Sequence, residues 1–283
     1  MLGNLLAMAF ALLSAITIAW GTVVRHRIAE NAPAGGSPFL QAIRRPAWWA
    51  GTFLALAGYG FQIIALGFGA LLVVQPILVL SLMFTLPLSA HFDGRRISRD
   101  EFLWALALTV AVAVLVLLGR PEAGDPQPPL ERWIPAMIIG VVALVSLERY
   151  AQRQIRNEKA LWLGVVTGGI YGYVAVLSKG TVDIFTHEGF VALLTAWEGY
   201  TLLAGAIIGT VVQQYAFNAG DLKNSLPAMT ILEPIVAFAL GYAVLGEKFQ
   251  VSGFNWFFMA LALVTMTVST VALSRKGVGA HKS

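Results

Sequence analysis

The chain has 283 residues, of which 58% are hydrophobic and only 12% charged, with a mean hydropathy of +0.74 and a formal net charge of +4. A water-soluble domain carries roughly 25% charged residues, so a soluble globular fold is excluded. The charges sit in short stretches between long apolar runs, which also argues against reading the basic balance as a nucleic-acid footprint.

Nine apolar runs follow one another along the chain: Leu2–Val24, Ala47–Gly67, Ala70–Ala90, Phe102–Leu118, Trp133–Leu147, Ala160–Val182, Trp197–Ala219, Ser225–Leu245 and Phe254–Leu273. Each is close to the length of about 20 residues that a helix needs to cross a bilayer while satisfying its own backbone. An all-α integral membrane protein is therefore expected, with the lipid bilayer as its first partner. The fifth run is the shortest and ends in Glu148-Arg149. Very short turns join runs two and three, at Gly67–Gly69, and runs seven and eight, at Gly220–Asn224. Trp48, Trp49, Trp133, Trp162 and Trp197 lie near run ends, where an amphipathic ring suits the headgroup region.

Charge sets the expected orientation. With the N-terminus outside, the cytoplasmic segments hold 15 basic residues and the external ones three, Arg120, Arg132 and Lys248; Lys179, inside a run, completes the 19. Basic loops resist translocation, so a cytoplasmic C-terminus and a plasma (inner) membrane location are expected. The first run is expected to remain in the mature chain, because Met1–Asn4 carries no basic side chain. Arginine outnumbers lysine 13 to 6 in an Ala- and Gly-rich chain, which points to a GC-rich bacterial genome. The chain has no cysteine, and His26, His91, His187 and His281 offer no metal-ligand spacing. No metal site or cofactor is expected.

An internal repeat appears at a shift of 151 residues. It lays residues 58–76 over 209–227 with identities at Gly58/Gly209, Gln62/Gln213, Ala65/Ala216, Gly69/Gly220, Leu71/Leu222 and Pro76/Pro227. Gly21-Thr22-Val23 is echoed by Gly180-Thr181-Val182 at a slightly different shift. The expected organisation is a first repeat at 1–119, an external loop, linker helix and basic cytoplasmic loop at 120–159, a second repeat at 160–274, and a cytoplasmic tail at 275–283. Five runs precede the second unit, so the two four-helix repeats are expected to be inverted relative to one another. Inverted repeats build secondary transporters, with the substrate site near the midplane.

The segment LPAMTILEPIVAFALGYAVLGEKFQVSGF, 226–254, resembles the end of an EamA domain of the drug/metabolite transporter superfamily, where a Pro-containing helix runs into a Gly-Glu-Lys/Arg turn before the last helix. Residues 69–102 share the layout. The whole is similar to the branch that includes the NIPA-type magnesium transporters, which also have about nine helices. The resemblance implies alternating-access transport of a small solute. It also implies an acidic residue in the helix before the turn, and here Gln62 and Gln213-Gln214 stand in its place. Mg²⁺ prefers negatively charged oxygen ligands, so Mg²⁺ transport is disfavoured.

Glu233 is the sharpest single residue. It lies about ten residues, roughly 15 Å of helix, from Lys223 at the cytoplasmic edge, and therefore near the midplane. A carboxylate there faces a cavity, holds a proton or pairs with a base; a structural hydrogen bond to a neighbouring helix is the alternative. Gln62, Gln75, Gln213, Gln214, Asn218, Tyr171 and Tyr173 are candidates to line a cavity with it, and each could equally join helices. Pro76, Pro227 and Pro234 are candidate helix breaks. Lys179 falls at the external interface, where it is expected to snorkel and pair with Asp183 four residues on, the two forming a candidate external gate. Gly164, Gly168, Gly169 and Gly172 are expected to allow close helix approach.

No phosphate loop, metal cluster or nucleophile–base pair suggests an enzyme. A transporter of a small-molecule or lipid-like substrate leads the readings, with Glu233 as the candidate for proton coupling. A lipid flippase and a non-transporting subunit of a cell-envelope complex are the rivals, and the sequence specifies no oligomeric state or protein partner. A reporter fused after Ser283 is expected to be active only in the cytoplasm; an external reporter would overturn the orientation.

Overall fold

The computed structural model describes residues 2–30, 46–92, 94, 96–219 and 222–279. Its helices are α1 (Leu2–Glu30), α2 (Pro46–Phe68), α3 (Leu71–Val79), α4 (Ser81–Phe92), α5 (Arg99–Leu117), α6 (Leu130–Gln152), α7 (Arg156–His187), α8 (Phe190–Thr195), α9 (Trp197–Ala219), α10 (Leu222–Ala243) and α11 (Asn255–Gly279). Among the described residues, eight spans are long and apolar enough to cross a membrane: α1, α2, α3 with α4, α5, α6, α7, α10 and α11. The protein is thus an all-α, multi-pass membrane protein. The 23-residue α9 packs along α7 beside them.

Several boundaries move from their sequence positions. The fifth run extends to a helix of 23 residues, because Leu130–Arg132 and Glu148–Gln152 continue its backbone beyond the apolar stretch. The third run is two helices, hinged at Leu80, whose N–H bonds to Ile77 O at 3.0 Å in a tight turn. The expected breaks at Pro76, Pro227 and Pro234 do not occur: each proline lies inside a continuous helix, α3 or α10. A helix can pass through proline at the loss of one N–H bond when tertiary packing holds it. The helices instead part at Gly69–Ala70, between α2 and α3 and next to the turn expected at Gly67–Gly69, and at Leu80, between α3 and α4. Of the Gly220–Asn224 turn, Gly220 and Asp221 lie outside the described residues, and the rest is already helical, α10 starting at Leu222.

The helices reverse so that one end of the bundle gathers Gly3, Phe68, Leu71, residues 118–133, the last turns of α7, and residues 243–259. We call this the capped end and the opposite one the basic end. At the capped end, β1 (Pro121–Glu122) pairs antiparallel with β2 (Lys248–Phe249). Asp125 N donates to Leu245 O at 2.8 Å, and Gln250 N to Gly119 O at 2.9 Å. Gly124 is indispensable to this seam, since a Cβ there would stand 1.9 Å from Leu245 O. Most of the apolar core lies towards this end, for example Leu71, Val74, Leu115, Val176, Ala237 and Leu245. A smaller cluster of Ala151, Leu163, Ala216 and Met229 serves the basic end.

Small residues set the helix spacing, as expected where lipid offers no hydrophobic drive between helices. On α7, Gly164, Gly168 and Gly172 meet the α10 backbone: added Cβ atoms would come within 2.6 Å of Ser225 O, Met229 O and the Val236 side chain. The expectation of close approach holds for these three glycines and also for Gly169, where a Cβ would stand 2.6 Å from Leu144 of α6. On α1, the fully buried Ala7, Ala11, Ala15 and Ala19 recur every fourth residue, and Ser14 Oγ donates to Gly58 O of α2 at 2.7 Å. The start of α5 is fixed by a capping box: Ser98 Oγ accepts from Glu101 N, and Glu101 Oε2 from Ser98 N.

Gly168→Leu is expected to lower stability in detergent by about 1–3 kcal/mol, because the α10 backbone cannot yield to it. Gly60→Ala, where nothing stands within 4 Å, should leave the melting temperature undiminished. Thermal unfolding of the two variants checks the contrast.

Candidate functional site

The capped end is organised around a carboxylate. Glu247 follows the left-handed Gly246 (φ 71°) just beyond α10, and its own N–H is tied back to Gly241 O at 2.9 Å. That turn drives its side chain inward, where it is fully buried. Leu71 N donates to Oε1 at 2.8 Å and Leu72 N to Oε2 at 2.9 Å. The helix break at Gly69–Ala70 leaves these first N–H groups of α3 without helical partners, and a carboxylate placed there satisfies them and the positive end of the helix dipole.

Lys179 completes the arrangement and corrects the sequence expectation. It neither snorkels nor pairs with Asp183. It is 5% exposed, and its ammonium donates to Glu247 Oε1. Helix rise alone put Lys179 at the membrane edge, but at that level it meets a protein plug rather than headgroups. Asp183 instead holds His187 Nδ1 at 3.1 Å and accepts from Gln127 Nε2 at 2.9 Å, an amide that also donates to Glu188. Lys179 and Asp183 do share a cavity of about 190 Å³, lined also by Gly67, Gly69, Gly124 and Thr186. Sequence reasoning passed over Glu247 by reading Gly246-Glu247-Lys248 as a turn only. The available signal was an acidic residue at the end of an apolar run, with a helix break elsewhere needing an acceptor.

Glu233 lies half-way along the 22-residue α10. It shares the inward face with Met229, Ala237 and Leu240, all buried. Its side chain is only half-buried, and among the described residues its carboxylate has no hydrogen bond or ion pair. The backbone beside it packs on α7, its carbonyl 3.0 Å from where a Gly172 Cβ would stand.

The other predicted site residues are not collected around Glu233. Tyr173 turns away to α6, donating to Ala136 O at 2.6 Å. Tyr171 turns to α9, its hydroxyl 3.3 Å from Gln213 Oε1 and 3.4 Å from Thr210 Oγ1. Gln213 reaches α10 one turn from Glu233, with Nε2 3.8 Å from Met229 Sδ. Asn218 is exposed on α9, and the Gln214 side chain lies outside the described residues. Gln62 is buried in α2. Gln75 is 1% exposed in α3, and its Nε2 has no partner among the described residues. Helical periodicity fixed which faces these residues occupy, but not which neighbouring helix each face meets.

Fold and site together define a multi-pass helical membrane protein with a buried ion pair at one end and, midway, a carboxylate without a partner among the described residues. The chain belongs to the same family as an uncharacterized protein of Corynebacterium glutamicum, to which it is 58% identical over 279 residues, 97% of this chain and 96% of the relative. It is also similar, at 28% identity over 103 residues, to the phosphatidylglycerol–prolipoprotein diacylglyceryl transferase of Buchnera aphidicola, a stretch covering 35% of each chain. No family model matches the chain, and no solved structure matches it.

Lys179→Met is expected to cost about 3–5 kcal/mol, because it leaves the Glu247 carboxylate buried without its cation. Adding Glu247→Gln should recover part of that loss by removing the stranded charge. Denaturant titrations in detergent check this; a double variant no more stable than Lys179→Met would show that the two charges are not coupled.

Proposed function

We propose that this protein is a secondary transporter of the drug/metabolite transporter type, moving a small solute by alternating access between two inverted four-helix repeats. In this reading α9 is the ninth crossing, α6 is the linker helix, and the capped end faces outward, with the C-terminus in the cytoplasm. The observation that carries it is the Glu247–Lys179 pair on the α3 N-terminus. Two buried charges from the second repeat close the first repeat's broken helix at one end of the bundle, while the midway carboxylate Glu233 has no partner among the described residues.

The packing supports the repeat. Ile18 packs on Gly58 as Ile170 and Tyr171 pack on Gly209. Ala11, Ala15 and Ala19 stand at the same helical offsets from Ile18 as Gly164, Gly168 and Gly172 do from Tyr171. The turns after α4 and α10 each hold a glycine at positive φ, Gly94 at 64° and Gly246 at 71°. α1 packs on α2 and on α3–α4, α7 packs on α9 and α10, and α5 meets α11. A two-fold relation exchanging the halves reproduces that scheme.

The asymmetry of packing supports one closed end. Glu247 and the loop seam seal the capped end, whereas Ser81–Thr85 on α4 and Ile231–Glu233 on α10 are only half-buried. Glu233 is placed to take a proton or a polar group of the solute in turn, since a carboxylate at that depth needs one or the other. Glu233→Gln is expected to abolish or uncouple uptake in reconstituted vesicles while leaving expression and membrane insertion intact. The measurement is a solute screen with and without a pH gradient; uptake with unchanged pH dependence would remove Glu233 from the coupling step.

A further inference from the structure

We propose that the turn between α6 and α7 binds the headgroup of an anionic phospholipid in the leaflet at the basic end. This inference stands apart from the transport reading. The turn is short, since α6 ends at Gln152 and α7 begins at Arg156. It is also firmly held: Arg153 N donates to Tyr150 O at 3.0 Å and Gln154 N to Ala151 O at 3.1 Å, and Ala151 and Ala160 are fully buried on either side. That anchoring leaves Arg149, Arg153 and Arg156 exposed, with Lys159 half-buried one turn into α7.

The charges of the turn are not neutralised within the protein. Arg153, Arg156 and Lys159 have no ion pair among the described residues. Of the two carboxylates in this stretch, Glu148 accepts from Gln152 Nε2 at 2.8 Å and lies 3.8 Å from Arg149 Nε, and Glu158 is exposed. Four cations thus stand against two anions between Glu148 and Lys159. Guanidinium groups address phosphate oxygens with paired N–H donors. A zwitterionic headgroup carries its own cation into the same field, and an anionic one does not.

The apolar residues of the turn indicate that the phosphate arrives on a lipid. Ile155 lies between Arg153 and Arg156 at 79% exposure, the highest of any large apolar side chain among the described residues. That is unfavourable in water, whereas at the headgroup boundary the side chain reaches acyl chains. Tyr150 and Trp162, on the two helix ends that flank the turn, meet edge to face at 5.1 Å, and such rings suit the same level. α6 is the least buried of the eight spans, with 6% of its most apolar window covered, so lipid has direct access to the turn. The need to orient the chain during insertion accounts for the arginines, but not for an isoleucine set between them. An arginine near an anionic surface favours the charged lipid about fivefold.

The test titrates short-chain phosphatidylglycerol into the purified protein in a neutral detergent and follows the melting temperature. A gain of several degrees is expected, with short-chain phosphatidylcholine giving none. Arg153→Gln combined with Arg156→Gln, both at exposed positions, should raise the lipid concentration for half of the gain by about tenfold or more. Arg96→Gln combined with Arg99→Gln, also exposed but before α5, should leave that concentration unchanged. Equal effects of the two lipids overturn the proposal, as does a loss at Arg153 and Arg156 no larger than at Arg96 and Arg99. Glycerol phosphate, the headgroup without its chains, should give no gain at the same concentration; an equal gain overturns the lipid assignment. A second measurement examines Ile155 itself. The chain has no native cysteine, so Ile155→Cys carries a single polarity-sensitive fluorophore. Its emission should move to the blue in vesicles of mixed phosphatidylcholine and phosphatidylglycerol relative to phosphatidylcholine alone, and equal emission in the two overturns the proposal.

Discussion

The Glu247 carboxylate is the point on which the capped end depends. It closes three otherwise unmet demands at once: two N–H groups at the start of α3 and the ammonium of Lys179. Each group alone would be untenable in an apolar interior, since an unpaired charge or donor there loses its hydration without return. Together they are self-consistent. The break at Gly69–Ala70 creates the orphan donors, the left-handed Gly246 aims the acceptor, and α7 delivers the counter-charge. Such a cluster is weak as a source of stability but demanding in geometry, which is the property a closure needs.

Around that polar knot the bundle is held by contacts between small residues. The α7 glycines let the α10 backbone approach until carbonyls and Cα atoms touch, and the alanine stripe of α1 does the corresponding work for the first half. In a bilayer the gain comes from close packing rather than from removing water, so even a single Cβ counts. α6 is the exception: only 6% of its most apolar window is buried, and Ile138, Ile139 and Val142 face outward.

Glu233 and Glu247 show how two carboxylates near the same helix come to differ. Glu247 lies beyond the end of α10, where a chain reversal can turn it onto another helix's donors. Glu233 is fixed within the helix on its inward face, and nothing donates to it among the described residues. The first is bound on every side and the second meets no donor among the described residues, and that division follows from what surrounds each of them.

The sequence by itself determined that this is a helical membrane protein, where its spans lie to within a few residues, and that Glu233 sits midway across one of them. These follow from run length and helical rise, which are local quantities. It also marked the glycines of α7 as contact points, because their four-residue spacing has one physical use in a membrane helix. What it did not determine was partnership. Lys179 was assigned to Asp183 because four residues is the reach of one helix face, whereas its actual partner lies 68 positions away. The prolines were expected to break helices that neighbouring packing instead carries through, and the break inside the third run fell at Leu80. The Gln, Asn and Tyr residues could be placed by depth and face, but not gathered into a site. Which face of one helix meets which face of another is decided only when the bundle assembles, and there the Glu247 contacts on α3 and α7 were made.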